Sequence, residues 1–194
     1  MQNTSSRIVP NDAVVLFVDL QKGIVELSKT ISLHRLNKGV LGLSKLAKIF
    51  GMPAIVSGVP GPDGSAPKMI PQIAEGIGEY AVHQRSTADS LRNDGIAEAL
   101  KAMKRQTLLI SGVSSEVAVQ LPALTATDLG YRVFVVADAC GGMSDRTEQA
   151  AFQRIGQSGG KPVSVMTLAG ELAGDFRCAE AQAAIGVLYE MATA

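Results

Sequence analysis

Three short segments carry residue types that can do chemistry. Asp19 ends the apolar run Ala-Val-Val-Leu-Phe-Val-Asp at 13–19 and is followed by Leu20, Gln21 and Lys22. A carboxylate at the end of a hydrophobic strand loses hydration, so its pKa rises toward that of a general acid or base. The same position suits a turn or cap aspartate, and position alone weighs the two equally. The second segment, Gly112-Val113-Ser114-Ser115-Glu116-Val117-Ala118, reads as strand, tight turn and helix start. Ser114 or Ser115 would cap that helix, and the amides of Val117 and Ala118 would cradle an oxyanion or a carboxylate. The third, Asp138-Ala139-Cys140-Gly141-Gly142, places a thiol after a strand. As a nucleophile Cys140 needs a low pKa and a nearby base; a small buried residue is the simpler reading. The same holds for Cys178. His34 and His83 are isolated, and no Cys/His or His-x-x-x-His spacing occurs, so no metal site is expected. Gly61-Pro62-Asp63-Gly64 lacks the ending of a phosphate loop, and Gly76-Ile77-Gly78 is too short for a dinucleotide fingerprint.

In an open parallel sheet, ligands bind beyond the carboxyl ends of the strands, near the point where strand order reverses. Three strand-end segments therefore need elements that gather them at one edge. Residues 13–19 and 106–111 are short and apolar, as buried parallel strands are. Residues 54–59, 80–83, 132–138 and 162–167 read as four more strands. Helical spacing runs through 34–50, 94–103, 115–129, 146–157 and the alanine-rich 179–191. Gly51 with Pro53, Gly130, and Gly159 with Gly160 are stop signals, and Pro122 predicts a kink in 115–129. The proline-rich stretch 60–71 is a loop, either a lid or contact segment or a plain exposed connection. The alternation predicts an α/β fold of three layers, α-β-α, around a six-stranded parallel Rossmann-like sheet. One domain over 1–194 suits this length.

Composition narrows the partners. Hydrophobic residues make up 46% and charged residues 19%, enough for a full core and too little charge for a disordered chain. Eighteen basic residues balance eighteen acidic ones, which leaves no electrostatic footprint for nucleic acid or an anionic membrane. No apolar run reaches the roughly 18 residues of a membrane span, and the first residues lack a signal-peptide core. Two cysteines are too few for a disulfide framework. A cytoplasmic protein acting on, or binding, a small molecule is expected.

Taken in order, the strand ends resemble the isochorismatase-like cysteine hydrolase superfamily, and most closely its YcaC-like branch. Asn11-Asp12-Ala13-Val14-Val15-Leu16-Phe17-Val18-Asp19-Leu20-Gln21 is similar to the family's first strand with its Asp-x-Gln ending. Gly112 to Val119 is similar to its Gly-Val-x-Thr-Glu-Val-Cys-Val segment, and Leu129 to Cys140 to the strand that follows. The resemblance implies the isochorismatase-like hydrolase fold, a homo-oligomer (tetramer or octamer) and no organic cofactor. The last helix and the loop 60–71 are the expected subunit contacts. Relatives that hold a metal use an aspartate and histidines beside the second strand. This strand ends Ser57-Gly58-Val59-Pro60, so no catalytic metal is expected.

The resemblance also implies an Asp base, a Lys beside it, a Cys nucleophile and a cis peptide before the Cys, here joining Val113 to Ser114. Asp19 matches. The family's cysteine falls on Ala118, and its lysine on Gln84, with His83 and Arg85 one step away; YcaC-like proteins can carry arginine in that segment. A methyl group attacks nothing, and losing a covalent nucleophile typically costs on the order of 10⁶ in turnover. Three readings stand. The chain hydrolyses an amide, imide or enol ether without a Cys nucleophile, using Asp19 as general acid or base. It is a catalytically silent binding or scaffolding member. Or Ala118 is an engineered Cys→Ala change in a cysteine hydrolase. The expected catalytic positions are Asp19, Gln84 and Ala118, with Gln21, Arg85, Val113, Ser114 and Val117 around the substrate.

Overall fold

The computed structural model describes residues 7–193. Six parallel strands, β1 (Ala13–Val18), β2 (Ala54–Gly58), β3 (Val82–Gln84), β4 (Thr107–Val113), β5 (Arg132–Gly141) and β6 (Lys161–Val163), form one sheet in the order β3-β2-β1-β4-β5-β6. Strand order reverses between β1 and β4. These two central strands are wholly buried, which is why they read as continuous apolar runs.

Alternate residues of β1 feed the two layers. Val15 and Phe17 pack with Leu36, Val40 and Leu43 of α1 (Leu33–Ile49) and with α6 (Val165–Ala173) and α7 (Ala179–Ala192). Val14, Leu16 and Val18 pack with α3 (Asp94–Ala102), α4 (Gln120–Asp128) and α5 (Asp145–Gln157). Each fully buried Leu, Ile or Phe contributes about 1.5–3 kcal/mol. Helix α1 lies directly on β5: a Cβ at Gly39 would sit 1.9 Å from the Asp138 carbonyl oxygen. Ser32, Asn93, Ser144 and Ser164 cap α1, α3, α5 and α6 through their side chains.

The structure departs from the sequence reading at five places. A helix, α2 (Pro71–Ile77), follows the loop where no element was expected; proline at its first position needs no N–H there. β3 is shifted to Val82–Gln84 from 80–83. β6 stops at Val163 rather than Thr167, because Ser164 caps a helix and both carboxylate oxygens of Asp138 accept the Val165 N–H, at 2.8 and 3.1 Å. The apolar residues Val165, Leu168, Ala169 and Leu172 then face the core at helical spacing. Neither Ser114 nor Ser115 caps the helix after β4 through its side chain; the Ser115 hydroxyl donates to Glu148 at 2.7 Å. Finally, the irregularity in 115–129 precedes Pro122. Ser115–Val119 forms a π-type turn, in which the Val119 N–H bonds the Ser114 carbonyl at 3.2 Å. Pro122 lies in the first turn of α4, just after the irregularity.

Among the described residues, no helix is long and apolar enough to cross a membrane.

Candidate active site

The sheet register aligns three strand ends. Val18 lies opposite Ser57 of β2 and opposite Gly112 of β4. Glycine is needed at position 112, since a Cβ there would meet the Val18 carbonyl oxygen at 2.4 Å. Beyond Val18 the chain turns sharply at Asp19, whose φ of 54° lies in the left-handed region that aspartate tolerates better than most residues. Its N–H still donates to the Ser57 carbonyl at 2.9 Å.

The Asp19 side chain is pressed into the crevice, with the residue 8% exposed. Its Oδ2 accepts from Arg85 Nη2 at 2.5 Å. Its Oδ1 is buried and has no hydrogen-bond partner among the described residues. Burial pushes the Asp19 carboxyl above its ordinary value, and the charge and hydrogen bond of Arg85 pull part of the way back. Arg85 is 4% exposed and held on three sides: Nε donates to Ser57 Oγ at 3.2 Å, Nη1 to the Thr87 carbonyl, and Nη2 to Asp19. Of the three residues at 83–85 that the sequence left in competition, Arg85 is the one that meets Asp19. Gln84 is exposed at the end of β3, opposite Gly58, and His83 lies opposite Ser57 in the sheet. Successive strand residues face opposite sides, so one step in register decides which side chain points at β1.

Gln21 spends its amide on the backbone. Nε2 donates to the Val59 carbonyl and Oε1 accepts the Val59 N–H, both at 3.0 Å, so the side chain pins the exit of β2. On the other side of Asp19, the Val113–Ser114 peptide is cis, as the resemblance implied. The Ser114 carbonyl accepts the Val117 N–H at 3.3 Å and the Val119 N–H at 3.2 Å. The Val117 amide is thus already engaged within the turn, whereas both it and the Ala118 amide were expected to be free. Ala118 is 3% exposed and belongs to the core cluster that contains Val18, while Val117 is 45% exposed. The turn is anchored outward. Glu116 Oε1 accepts from the Met143 N–H at 2.8 Å and from Thr147 Oγ1 at 2.6 Å. Burial alone would raise its carboxyl; these bonds outweigh it and hold the pKa below the ordinary range.

Cys140 is buried with its Sγ toward the Ile110 carbonyl, and burial drives the thiol far above its usual pKa, so it is no thiolate nucleophile. Cys178 is exposed at the start of α7, outside the crevice. Among the described residues no group of three His, Cys, Asp or Glu is placed to hold a metal ion. A cavity of about 420 Å³ opens over the end of β5, between Arg35, Lys38, Asp138 and Glu148; Asp19 does not line it. Sequence reasoning missed Ser57, Thr87 and Asp89. Ser57 carried a signal, a hydroxyl in an otherwise apolar and fully buried strand end.

The family described as Isochorismatase domain matches residues 13–167. The chain is 34% identical over 174 residues to the probable hydrolase YcaC of Escherichia coli (strain K12), a match covering 88% of this chain and 82% of that protein. YcaC from Pseudomonas aeruginosa, solved with hexane-2,5-diol and covalent acrylamide, superposes with a TM-score of 0.88 at 31% identity, covering 98% of this chain and 96% of that one. The crystal structure of the Escherichia coli YcaC gene product, described as an octameric hydrolase of unknown specificity, gives a TM-score of 0.86 at 32% identity, covering 95% and 90%.

Proposed function

This chain belongs to the isochorismatase family, and from that premise we propose that it hydrolyses a small polar metabolite with Asp19 as general acid or base and without a covalent nucleophile. One observation carries the reading: a buried carboxylate with one oxygen fixed by Arg85 and the other, Oδ1, unpartnered. Buried acceptors are nearly always satisfied, so an unpartnered carboxylate oxygen beside a fixed guanidinium calls for an explanation, and a bound reactant supplies one. Burial raises the Asp19 carboxyl above its ordinary value, which makes Oδ1 a stronger proton acceptor than an exposed carboxylate.

For an amide or imide, Oδ1 removes a proton from water as the water oxygen attacks the carbonyl carbon. The C–N bond then breaks and the nitrogen leaves with the proton. For an enol ether, protonated Asp19 delivers its proton to the vinyl carbon, water adds to the resulting oxocarbenium ion and returns a proton to Oδ1, and the hemiketal C–O bond then breaks to release an alcohol and a carbonyl compound. Arg85 fixes the carboxylate plane through Oδ2. The Ala118 N–H stabilises the developing oxyanion, with Val113, Ser114 and Val117 shaping that wall. Gln84, being exposed, is a rim contact.

The test is a screen of amides, imides and enol ethers with wild type, Asp19→Ala and Ala118→Cys. Turnover by wild type that Asp19→Ala loses supports the reading. Turnover that survives in Asp19→Ala removes Asp19 from the mechanism. A gain of amidase activity in Ala118→Cys would indicate that the rest of a cysteine-hydrolase site is in place. A second reading, a catalytically silent binding member, draws on Ala118 itself, whose methyl is packed into the core. Inactivity of wild type across the whole screen, with restored turnover in Ala118→Cys, favours it. As in the octameric relative, we propose a homo-oligomer, tetramer or octamer, which light scattering on the eluting protein measures directly.

A further inference from the structure

Arg85 is gripped from three different parts of the chain, and only one of them lies outside the sheet and its immediate strand ends. Ser57 belongs to β2 and Asp19 follows β1. The third grip, the Thr87 carbonyl, lies on the segment between β3 and α3. That segment holds its shape through Asp89. The Thr87 hydroxyl donates to the Asp89 carbonyl at 2.7 Å, and Asp89 Oδ1 accepts the Leu91 N–H at 3.0 Å. Asp89 is itself buried, and its second carboxylate oxygen accepts the Thr125 hydroxyl at 2.6 Å. Arg92 stands 3.7 Å from the same oxygen but is largely exposed. Thr125 lies on α4, which continues directly from the turn that carries Ala118.

We propose that the Thr125–Asp89 hydrogen bond is a positioning device: it ties the segment that holds Arg85 to the helix behind position 118, and so sets the two walls of the crevice against each other. This rests on Asp19 and Arg85 being the working pair. Thr125 and Asp89 touch no reacting atom; they act through Thr87 on the guanidinium. A hydrogen bond to a charged, buried acceptor holds geometry more firmly than apolar packing alone, because breaking it strands the Asp89 oxygen away from water.

The experiment reads the Asp19 carboxyl directly, by carbon-13 NMR titration of protein labelled at aspartate carboxyls, with Asp19→Asn assigning the signal. In Thr125→Val the hydroxyl is gone and the shape is kept. Arg85 is then held less firmly, its opposing charge weakens, and the Asp19 midpoint rises by about half a pH unit or more. Thr125→Ser keeps the hydroxyl and returns the midpoint to the wild-type value. If Thr125→Val fails to give a folded circular dichroism spectrum, Thr125→Ala, which also lacks the hydroxyl, is titrated in its place with the same expectation. An unchanged midpoint in a folded variant overturns the proposal, as does a shift that Thr125→Ser reproduces in full. The titration needs no substrate, so a chain that hydrolyses nothing in the screen leaves this result standing, and an active one does not establish it.

Discussion

Asp19 and Asp138 make a natural pair. Each lies in the C-terminal part of a parallel strand region, one after β1 and one within β5, and each carboxyl is raised by burial. Their oxygens are spent differently. Both oxygens of Asp138 are used on the first N–H of α6, so the side chain starts a helix. Asp19 gives one oxygen to Arg85 and keeps the other buried and unpartnered. From the sequence a strand-end aspartate is equally a cap or an acid–base group, and this molecule contains the first for certain and a candidate for the second. The distinction lies in what the second oxygen touches, which is decided by chain distant in sequence.

The largest contrast is expected in turnover. With a substrate found by the screen, Asp19→Asn lowers kcat by about 10²–10⁴, the usual range for a general acid or base, while Asp138→Asn changes it less than about tenfold. Equal losses would erase the difference between the two carboxylates. Next comes the ion pair. Arg85→Met leaves the Asp19 charge buried and unpaired, and urea denaturation at pH 7 should show a loss of about 3–5 kcal/mol. Among the described residues Asp138 has no comparable side-chain partner; its carboxylate bonds are to backbone. Asp138→Ala removes a cap from α6 and costs about 1–2 kcal/mol in the same assay, with activity retained.

The smallest effect is in pH dependence. A carboxyl whose folded pKa is raised above its ordinary 3.8 binds its proton more tightly in the native state. Its stabilising contribution is full below that ordinary value and is lost as pH rises through the raised one. The urea midpoint of wild type minus that of Asp138→Asn should therefore fall between pH 4 and the raised pKa. A difference that grows with pH over this window would reverse the assignment for Asp138.

Much of the fold was legible because β1 and β4 are apolar on both faces, a pattern only central parallel strands need. The end of β6 was not. Pro162-Val163-Ser164-Val165 looks like strand by composition, and only the Ser164 cap and the distant Asp138 carboxylate turn the chain into a helix there. At the site, the burial of Asp19 was legible from its place after an apolar run, while its choice over a cap role came from the family resemblance. Arg85 was one residue off, because the three-residue β3 carries too little pattern to fix its phase. The π-type turn was hidden for a similar reason: it depends on two amides sharing the Ser114 carbonyl, a matter of backbone path and not of side-chain type. Thr87 acquires meaning only once Arg85 is placed.

The two outermost strands are each three residues long, and β6 places Pro162 between Lys161 and Val163. A proline offers no amide to an incoming strand, and a neighbouring lysine resists burial against one. Neither border of the sheet is therefore a template for adding strands from another molecule, which guards the protein against ribbon-like aggregation.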